Sequence, residues 1–397
     1  METHLTEKLQ QVKWAEFELQ ELFEKIKVKK LNYKTNDLPN NPERGFNLPA
    51  LTAGIQNQGL NNYVPRDNAT ILKNVISISA NGANTGATFY QNKEFTVLQD
   101  AYAIKWIYTD DLLTNNQYLF LTASISKAIY GNYEWTNKAG WERIKGNKIP
   151  LPISPNSSLD KIAQIDFDFM ENFIAQIKVS RLSQLEDYLL VTGLKDYTLT
   201  TAEQQVLAEF ENGKVVWAEF ELQDLFEVKP SKKRFDANKV KIEDTGYPYV
   251  VRTSVNNGIK GYLNESESYL NKGNTISFGQ DTATMFYQEK PYFTGDKIKV
   301  LKPKLTLFNK GNAQFFIPIM VKAFSTFSWG SSSFSEKIIK TQKLSFPIKP
   351  NLGLDKIAQI DFYFMETLIS AMQKLVIKDV VRYADNKIAV TKQVINR

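Results

Sequence analysis

Two stretches of the chain repeat apolar residues at i, i+3, i+4 and i+7. One set is Met170, Phe173, Ile174, Ile177, Leu182, Leu185 and Leu189; the other is Met365, Leu368, Ile369, Met372, Val376, Val380 and Tyr383. That spacing lays a single apolar stripe along a helix. Gly and Pro are missing from Asn156 to Thr192 and from Leu354 to the end, so nothing interrupts either helix. Each is predicted to run about 24 residues, on the order of 36 Å. Two one-striped helices in one chain are expected to pack as an antiparallel, coiled-coil-like pair that holds the remaining regions apart. The alternative is that each stripe packs on its own domain.

The regions between read differently. Asn74–Ser79, Ala87–Tyr90 and Tyr102–Tyr108 suit short strands, broken by turn-rich Ala80-Asn-Gly-Ala-Asn-Thr-Gly86. Asp110 to Tyr130 is the best helical stretch among them. Residues 1–12 suit a short amphipathic helix. In Trp14–Phe23, apolar residues at 14, 19, 22 and 23, with Phe17 between, predict a short helix lying on a sheet. Thr200-Thr-Ala-Glu203 is a capping box opening a helix over about 201–211.

These elements occur twice. Leu159–Glu171 (LDKIAQIDFDFME) returns as Leu354–Glu366 (LDKIAQIDFYFME), with twelve of thirteen residues identical. Val12–Glu24 (VKWAEFELQELFE) returns as Val215–Glu227 (VVWAEFELQDLFE). Pro49, Gly59 and Tyr63 match Pro248, Gly258 and Tyr262, and Phe89-Tyr90-Gln91 matches Phe286-Tyr287-Gln288. The polar loops between do not match: Ala80–Gly86 stands opposite Gly279-Gln-Asp-Thr-Ala283. A period near 200 residues makes each copy a domain plus a connecting element. The expected order is a first domain over 1–158, a helical spacer over 159–213, a second domain over 214–353 and a second spacer over 354–397, close to cyclic pseudo-two-fold symmetry. The fold class is α+β.

Charge sharpens the picture. The net charge is +6 over 397 residues. Lys25, Lys27, Lys29, Lys30 and Lys34 cluster after the first tryptophan motif, and Lys229, Lys232, Lys233, Arg234, Lys239 and Lys241 hold the same place in the second copy. A basic run kept at one place in both copies suits an edge that tracks phosphates; a solvated face is the plain alternative. Residues 374–397 add six basic residues against Asp379 and Asp385.

Chemistry is sparse. Cysteine is absent, which excludes thiolate catalysis, disulfides and cysteine-based zinc sites and fits a reducing cytoplasm. The single histidine, His4, sits at the chain start. No phosphate-cradling glycine loop or nucleophile elbow is present. Asp160, Asp166, Asp355 and Asp361 fall at expected helix starts, where capping accounts for them. Asp100 with Lys105 is a weak match to a metal-dependent nuclease pair and has no counterpart in the second copy. No run is long and apolar enough for a membrane span. The chain reads as a binder and not an enzyme.

The alternation of tryptophan motif, variable region and duplicated helix resembles the specificity subunit of restriction–modification systems, of the type I or type IIB-like kind, over essentially the whole chain. The resemblance rests on WAEFELQELFE and WAEFELQDLFE, on the duplicated LDKIAQIDFxFME, and on Leu375–Lys387 (LVIKDVVRYADNK). It implies two target recognition domains, each reading half of a bipartite site in double-stranded DNA. It also implies helices that space the domains and dock two methyltransferase subunits. S-adenosylmethionine, and Mg2+ where a nuclease is present, would belong to those partners, with no cofactor on this chain.

For base readout the residues suited by type and position are Arg44, Gln56, Asn57, Gln58, Arg66, Asn81 and Asn84 in the first domain. In the second they are Arg252, Asn256, Asn257, Lys260, Gln280 and Asp281. Lys27, Lys29, Lys30 and Lys34, with Lys232, Lys233, Arg234 and Lys239, are the phosphate candidates. The helix length suggests roughly one turn of duplex between half-site centres. Two other readings are an adaptor presenting two protein-binding domains and a stand-alone nuclease.

Overall fold

The computed structural model describes residues 2–108, 113–154, 162–325, 335–349 and 355–395. They form two compact units, Met1–Leu185 with Lys387–Arg397, and Glu186–Asn386.

Unit 1 runs α1 (Glu2–Gln11), β1 (Lys13–Glu18), α2 (Leu19–Leu22), β2 (Phe23–Lys25), β3 (Leu48–Leu51), β4 (Leu60–Val64), β5 (Val75–Ser79), β6 (Thr88–Gln91), β7 (Thr96–Val97), β8 (Ala101–Trp106), α3 (Asn115–Ile129), α4 (Trp141–Ile144), β9 (Lys148–Ile153) and α5 (Phe167–Val191), whose last turn falls in unit 2. An antiparallel sheet has the order β2-β8-β5-β6, and a smaller one β4-β3-β7, in which β3 and β7 run parallel. A two-stranded ribbon pairs β1 with β9. Ile76, Ile78, Ile104, Leu121, Ile125 and Leu151 bury one core between the four-stranded sheet, α3 and the ribbon, and Met170 of α5 joins it.

Unit 2 repeats this plan: α6 (Thr201–Glu211), β10 (Trp217–Glu221), α7 (Leu222–Leu225), β11 (Phe226–Pro230), β12 (Tyr247–Val250), β13 (Ile259–Leu263), β14 (Thr275–Gly279), β15 (Thr284–Gln288), β16 (Phe293–Thr294), β17 (Ile298–Pro303), α8 (Lys310–Phe324), α9 (Glu336–Thr341), β18 (Lys343–Pro347) and α10 (Phe362–Ile395), whose final turns fall in unit 1. Its sheets are β11-β17-β14-β15, β13-β12-β16 and β10-β18, strand for strand the topology of unit 1. Phe226, Phe278, Phe316 and Phe346 fill its core.

The tryptophan motifs are not helices throughout. Lys13–Glu18 and Trp217–Glu221 are strands, with Phe17 opposite Ile149 and Phe220 opposite Leu344. WAEFE alternates with period two, so Phe17 points into the core while Glu16 faces water. Only Leu19–Leu22 and Leu222–Leu225 make a helical turn. It is closed because the Glu18 amide donates to Glu21 at 2.7 Å and the Glu221 amide to Asp224 at 3.0 Å.

The duplicated thirteen-residue motif does two local jobs. Asp166 accepts the amide of Phe169 at 2.8 Å and Asp361 that of Phe364 at 2.9 Å, so each carboxylate caps its own long helix. Five residues on, Glu171 accepts from Thr114 and, at 2.6 Å, from Asn116; Glu366 accepts from Asn309 at 2.7 Å and Asn312 at 3.0 Å. Each glutamate thereby ties the start of α3 or α8 to the adjoining long helix. Asp160 and the first residues of both motif copies lie outside the described residues, as do residues 109–112, so α3 is described from its Thr114 cap onward. Asp355 precedes a 3-10 turn over Ile357–Gln359 and starts no α-helix.

α5 has 25 residues and α10 has 34, about ten beyond the expected length. The second apolar set does not form one buried stripe. Met365 and Leu368 are buried with Phe364 and Ala371, whereas Met372, Val376, Val380 and Tyr383 are exposed, Val376 by 77%. Met372 lies i+7 from Met365, and Val376, Val380 and Tyr383 follow at i+4, i+4 and i+3, so they continue the same face, which is covered over the first turns of α10 and exposed beyond them. The helical spacing predicted the element but not where along it the covering of that face ends.

Candidate nucleic-acid interface

The strand order places one type of turn at the same point of each unit, between β3 and β4 and between β12 and β13, directly before the second strand of each pair. In unit 1, Asn57 (φ 47°), Gln58 (φ 57°) and Gly59 (φ 87°) are successive left-handed residues; in unit 2 they are Asn256 (φ 49°), Asn257 (φ 51°) and Gly258 (φ 77°). Asn tolerates this conformation best among non-glycine residues. Glycine closes the turn because a Cβ at position 59 would lie 3.1 Å from the Thr52 carbonyl, and one at 258 would lie 3.1 Å from the Phe286 ring. Left-handed runs cost about 1–3 kcal/mol per strained residue and persist only where the surroundings impose them. The turns leave Gln56, Asn57 and Gln58, or Asn256 and Asn257, exposed. The Asn256 amide is partly used, donating to the Ile259 carbonyl at 3.0 Å.

A second point of comparison is the β5–β6 hairpin and its β14–β15 counterpart. The Ala80 amide donates to the Asp100 carbonyl at 2.7 Å and the Gln280 amide to the Lys297 carbonyl at 2.9 Å, so the backbones are in the same register. The side chains carry different chemistry. Asn81 donates to the Asp100 carboxylate at 2.7 Å in unit 1. Asp281 accepts from Arg252 at 2.8 Å and Lys297 at 2.6 Å in unit 2. A neutral donor on an acid is thus replaced by one acid bridging two cations. The Asn81 side-chain oxygen Oδ1 is buried with no partner among the described residues, and the Asn84 backbone carbonyl accepts the Ala87 amide.

The other base-reading candidates are scattered. Arg44 lies exposed in the turn between Glu43 and Phe46, and Lys260 is exposed on β13. Arg66 pairs with Glu94 at 2.7 Å and, through that hydrogen bond and its charge, holds the Glu94 carboxyl below the usual carboxylate range. Gln280 sits at the hairpin tip.

The two basic clusters differ in freedom. Lys27, Lys30 and Lys34 are exposed, and Lys29 donates to Asn68 at 3.0 Å. In unit 2, Lys232 donates to the Ser268 carbonyl at 3.3 Å, and Lys233 lies 4.2 Å over the Tyr269 ring and 4.5 Å over that of Phe235. Arg234 faces Asp296 at 3.6 Å and Lys239 faces Asp236 at 3.9 Å. The weak nuclease pair finds other partners: Asp100 takes Asn81, and Lys105 pairs with Glu24 at 2.8 Å. Among the described residues no cluster of His, Asp and Glu could hold a metal ion.

The sequence model of the family described as "Type I restriction modification DNA specificity domain" matches residues 11–187 and again 214–382. The chain belongs to this family. Each matched segment runs from the ribbon strand through the variable sheets into the long helix. The "Type II restriction enzyme BgcI specificity subunit S.BcgI" of Heyndrickxia coagulans is 29% identical over 161 residues, 40% of this chain and 44% of that protein. The type I restriction–modification S subunit from M. genitalium shares the fold, with a TM-score of 0.55 at 14% identity over 97% of this chain and 94% of that one.

In the second specificity domain a cleft of about 680 Å³ opens beside the left-handed turn, lined by Asn257, Ile259, Tyr262, Phe286 and Gln314. Sequence reasoning used Tyr262 and Phe286 only as scaffold markers. Their recurrence as Tyr63 and Phe89 was the available signal, and it did not say that one copy lines a surface cleft. No helix among the described residues is long and apolar enough to cross a membrane.

Proposed function

We propose that each specificity domain reads one half of a bipartite site in double-stranded DNA. The observation that carries this reading is the pairing of one sheet topology, present twice, with turns of different polar chemistry at the same positions. One scaffold with two sets of exposed amides, acids and cations suits two different sequences of base edges. Lys27, Lys29, Lys30 and Lys34, with the basic run from Lys232 to Lys239, would sit on phosphates and fix register without carrying sequence information.

The chain itself carries out no chemistry in this reading. α5 and α10 act as the spacer, and the exposed stripe Met372, Val376, Val380 and Tyr383 is where a methyltransferase subunit docks. Two such subunits supply S-adenosylmethionine and methylate adenine, and where a nuclease is fused to them it supplies the Mg2+ site. The complex works in the cytoplasm.

The test is to express the chain with the methyltransferase encoded beside it and to map methylated adenines on the host DNA. A discontinuous motif with a fixed gap, seen only when both proteins are present, is the expected result. Exchanging residues 216–346 for those of a relative should then alter one half-site alone. Co-purification without new methylation would favour an adaptor instead.

A further inference from the structure

The duplicated Phe-Tyr-Gln segment ends at Gln91 in one copy and Gln288 in the other, at the last residue of β6 or β15. In unit 1 the Gln91 side-chain amide donates to the Ser77 hydroxyl at 3.0 Å and to the Gln58 backbone carbonyl at 3.2 Å. In unit 2 Gln288 donates to the Ser277 hydroxyl at 3.1 Å and to the Asn257 carbonyl at 3.1 Å. The serine passes the chain on: Ser77 donates to the Phe89 carbonyl at 3.4 Å, Ser277 to the Phe286 carbonyl at 3.2 Å. Each serine is therefore an acceptor toward the glutamine and a donor toward the strand, which fixes which end of the amide carries the protons. Ser77, Ser277 and Gln288 are all buried.

The target of each glutamine is the carbonyl of the left-handed residue that precedes the turn glycine. It belongs to the turn that links two strands of the three-stranded sheet, while the glutamine stands on the edge strand of the four-stranded sheet, so the bond joins the two sheets at the strained turn. The residues around it differ between copies (Gln56-Asn57-Gln58-Gly59 against Asn256-Asn257-Gly258), yet the donor, the acceptor and the relay are the same. A side chain kept for its geometry while the exposed residues it holds have diverged is doing a positioning job.

We infer that Gln91 and Gln288 are the positioning residues of the two recognition turns. Each sets the base preference of its own half-site by fixing the turn that presents Gln56–Gln58 or Asn256–Asn257, and neither touches DNA. The inference rests on the DNA-reading function proposed above.

Two readouts on the full chain keep the two ideas apart. In Gln91→Leu and Gln288→Leu, hydrogen exchange should quicken about tenfold, the order of one lost neutral hydrogen bond, at the turn amides of the altered unit. Those amides are Thr52 in the first and Val251 in the second, which donate to the carbonyls of Gly59 and Gly258. The other unit should exchange as in the wild type. With the methyltransferase present, each variant should relax base preference about tenfold in one half-site and leave the other unchanged, and Ser77→Ala or Ser277→Ala should give a smaller change in the same half-site. Unchanged exchange at the turn, equal relaxation of both half-sites, or uniform loss of methylation with the preference intact would each overturn the inference. If the wild-type complex itself methylates no bipartite site, the proposed function falls, and the exchange arm still decides whether the glutamine holds the turn.

Discussion

Replacing Glu203 with Gln should destabilise unit 2 by an amount that shrinks as the pH falls. Glu203 is the buried third residue of α6 and faces α10. Its carboxylate accepts from the Ser370 hydroxyl at 2.6 Å, the Lys374 ammonium at 2.9 Å and the Thr200 amide at 2.8 Å. Burial alone would push this carboxyl up; the bonds from Ser370, Lys374 and Thr200 outweigh it and bring it down to about 2, from 4.5. A folded value below the unfolded one means stabilisation that is complete above about pH 4.5 and is lost as the pH drops toward 2. Linkage at 1.36 kcal/mol per unit makes this about 3 kcal/mol at pH 7, of which about 2 kcal/mol is gone by pH 3. In unit 1 the corresponding helix contact is Lys8 to the neutral Gln176 at 2.7 Å, so this pH window belongs to unit 2. Urea unfolding of wild type and Glu203→Gln at pH 7 and pH 3 measures the gap, and subtracting one from the other removes the other carboxylates they share. The expected gap is about 3 kcal/mol narrowing to about 1. A gap that stays constant across that range would refute the reasoning.

Changing Lys27, Lys30 and Lys34 together to Gln should weaken DNA binding equally for all sequences and lower the slope of log affinity against log salt by roughly 3, about 0.9 per phosphate contact. An unchanged slope in a salt titration would remove these lysines from the interface. Val376→Glu, on the exposed stripe of α10, should abolish co-purification with the methyltransferase at an unchanged melting temperature. Phe316 is fully buried, with its ring 4.3 Å from that of Phe346, so Phe316→Ala should cost about 3–5 kcal/mol in denaturant unfolding.

The duplication is legible in the sequence, because both motif pairs are near-identical and their order repeats. The long helices are legible too, since nothing in either stretch can stop them. The tryptophan motif is harder: the hits at 19 and 22 come from the single helical turn and that at 23 from the first residue of β2, and exposed, apolar Trp14 masks the strand alternation before them. The site is the least legible part. Arg252 and Arg66 look like free readers until the fold brings Asp281 and Glu94 to them from 29 and 28 residues away. Arg234 likewise meets Asp296 only in the folded unit. Such pairings depend on strand register, which residue type and spacing do not encode.

The one mismatch between the two copies of the thirteen-residue motif points to how the scaffold can stay fixed while its reading surface diverges. Asp168 and Tyr363 are both exposed, on the outward face of their helices. Tyr363 meets the Lys349 ammonium, 5.3 Å over its ring, whereas the neighbours that did not change hold backbone or another helix: Asp166 and Asp361 cap, and Glu171 and Glu366 catch the start of α3 or α8. The hairpin tips follow the same logic. Strand pairing and the amide bonds from Ala80 to Asp100 and from Gln280 to Lys297 set the backbone, so the tip is free to be longer in one copy and to swap an acid–amide contact for an acid between two cations. Constraint falls where a side chain holds another element in place, and freedom falls where it faces solvent. In the DNA-reading function proposed above, new half-sites then arise by changes at turn and tip positions that leave both cores untouched.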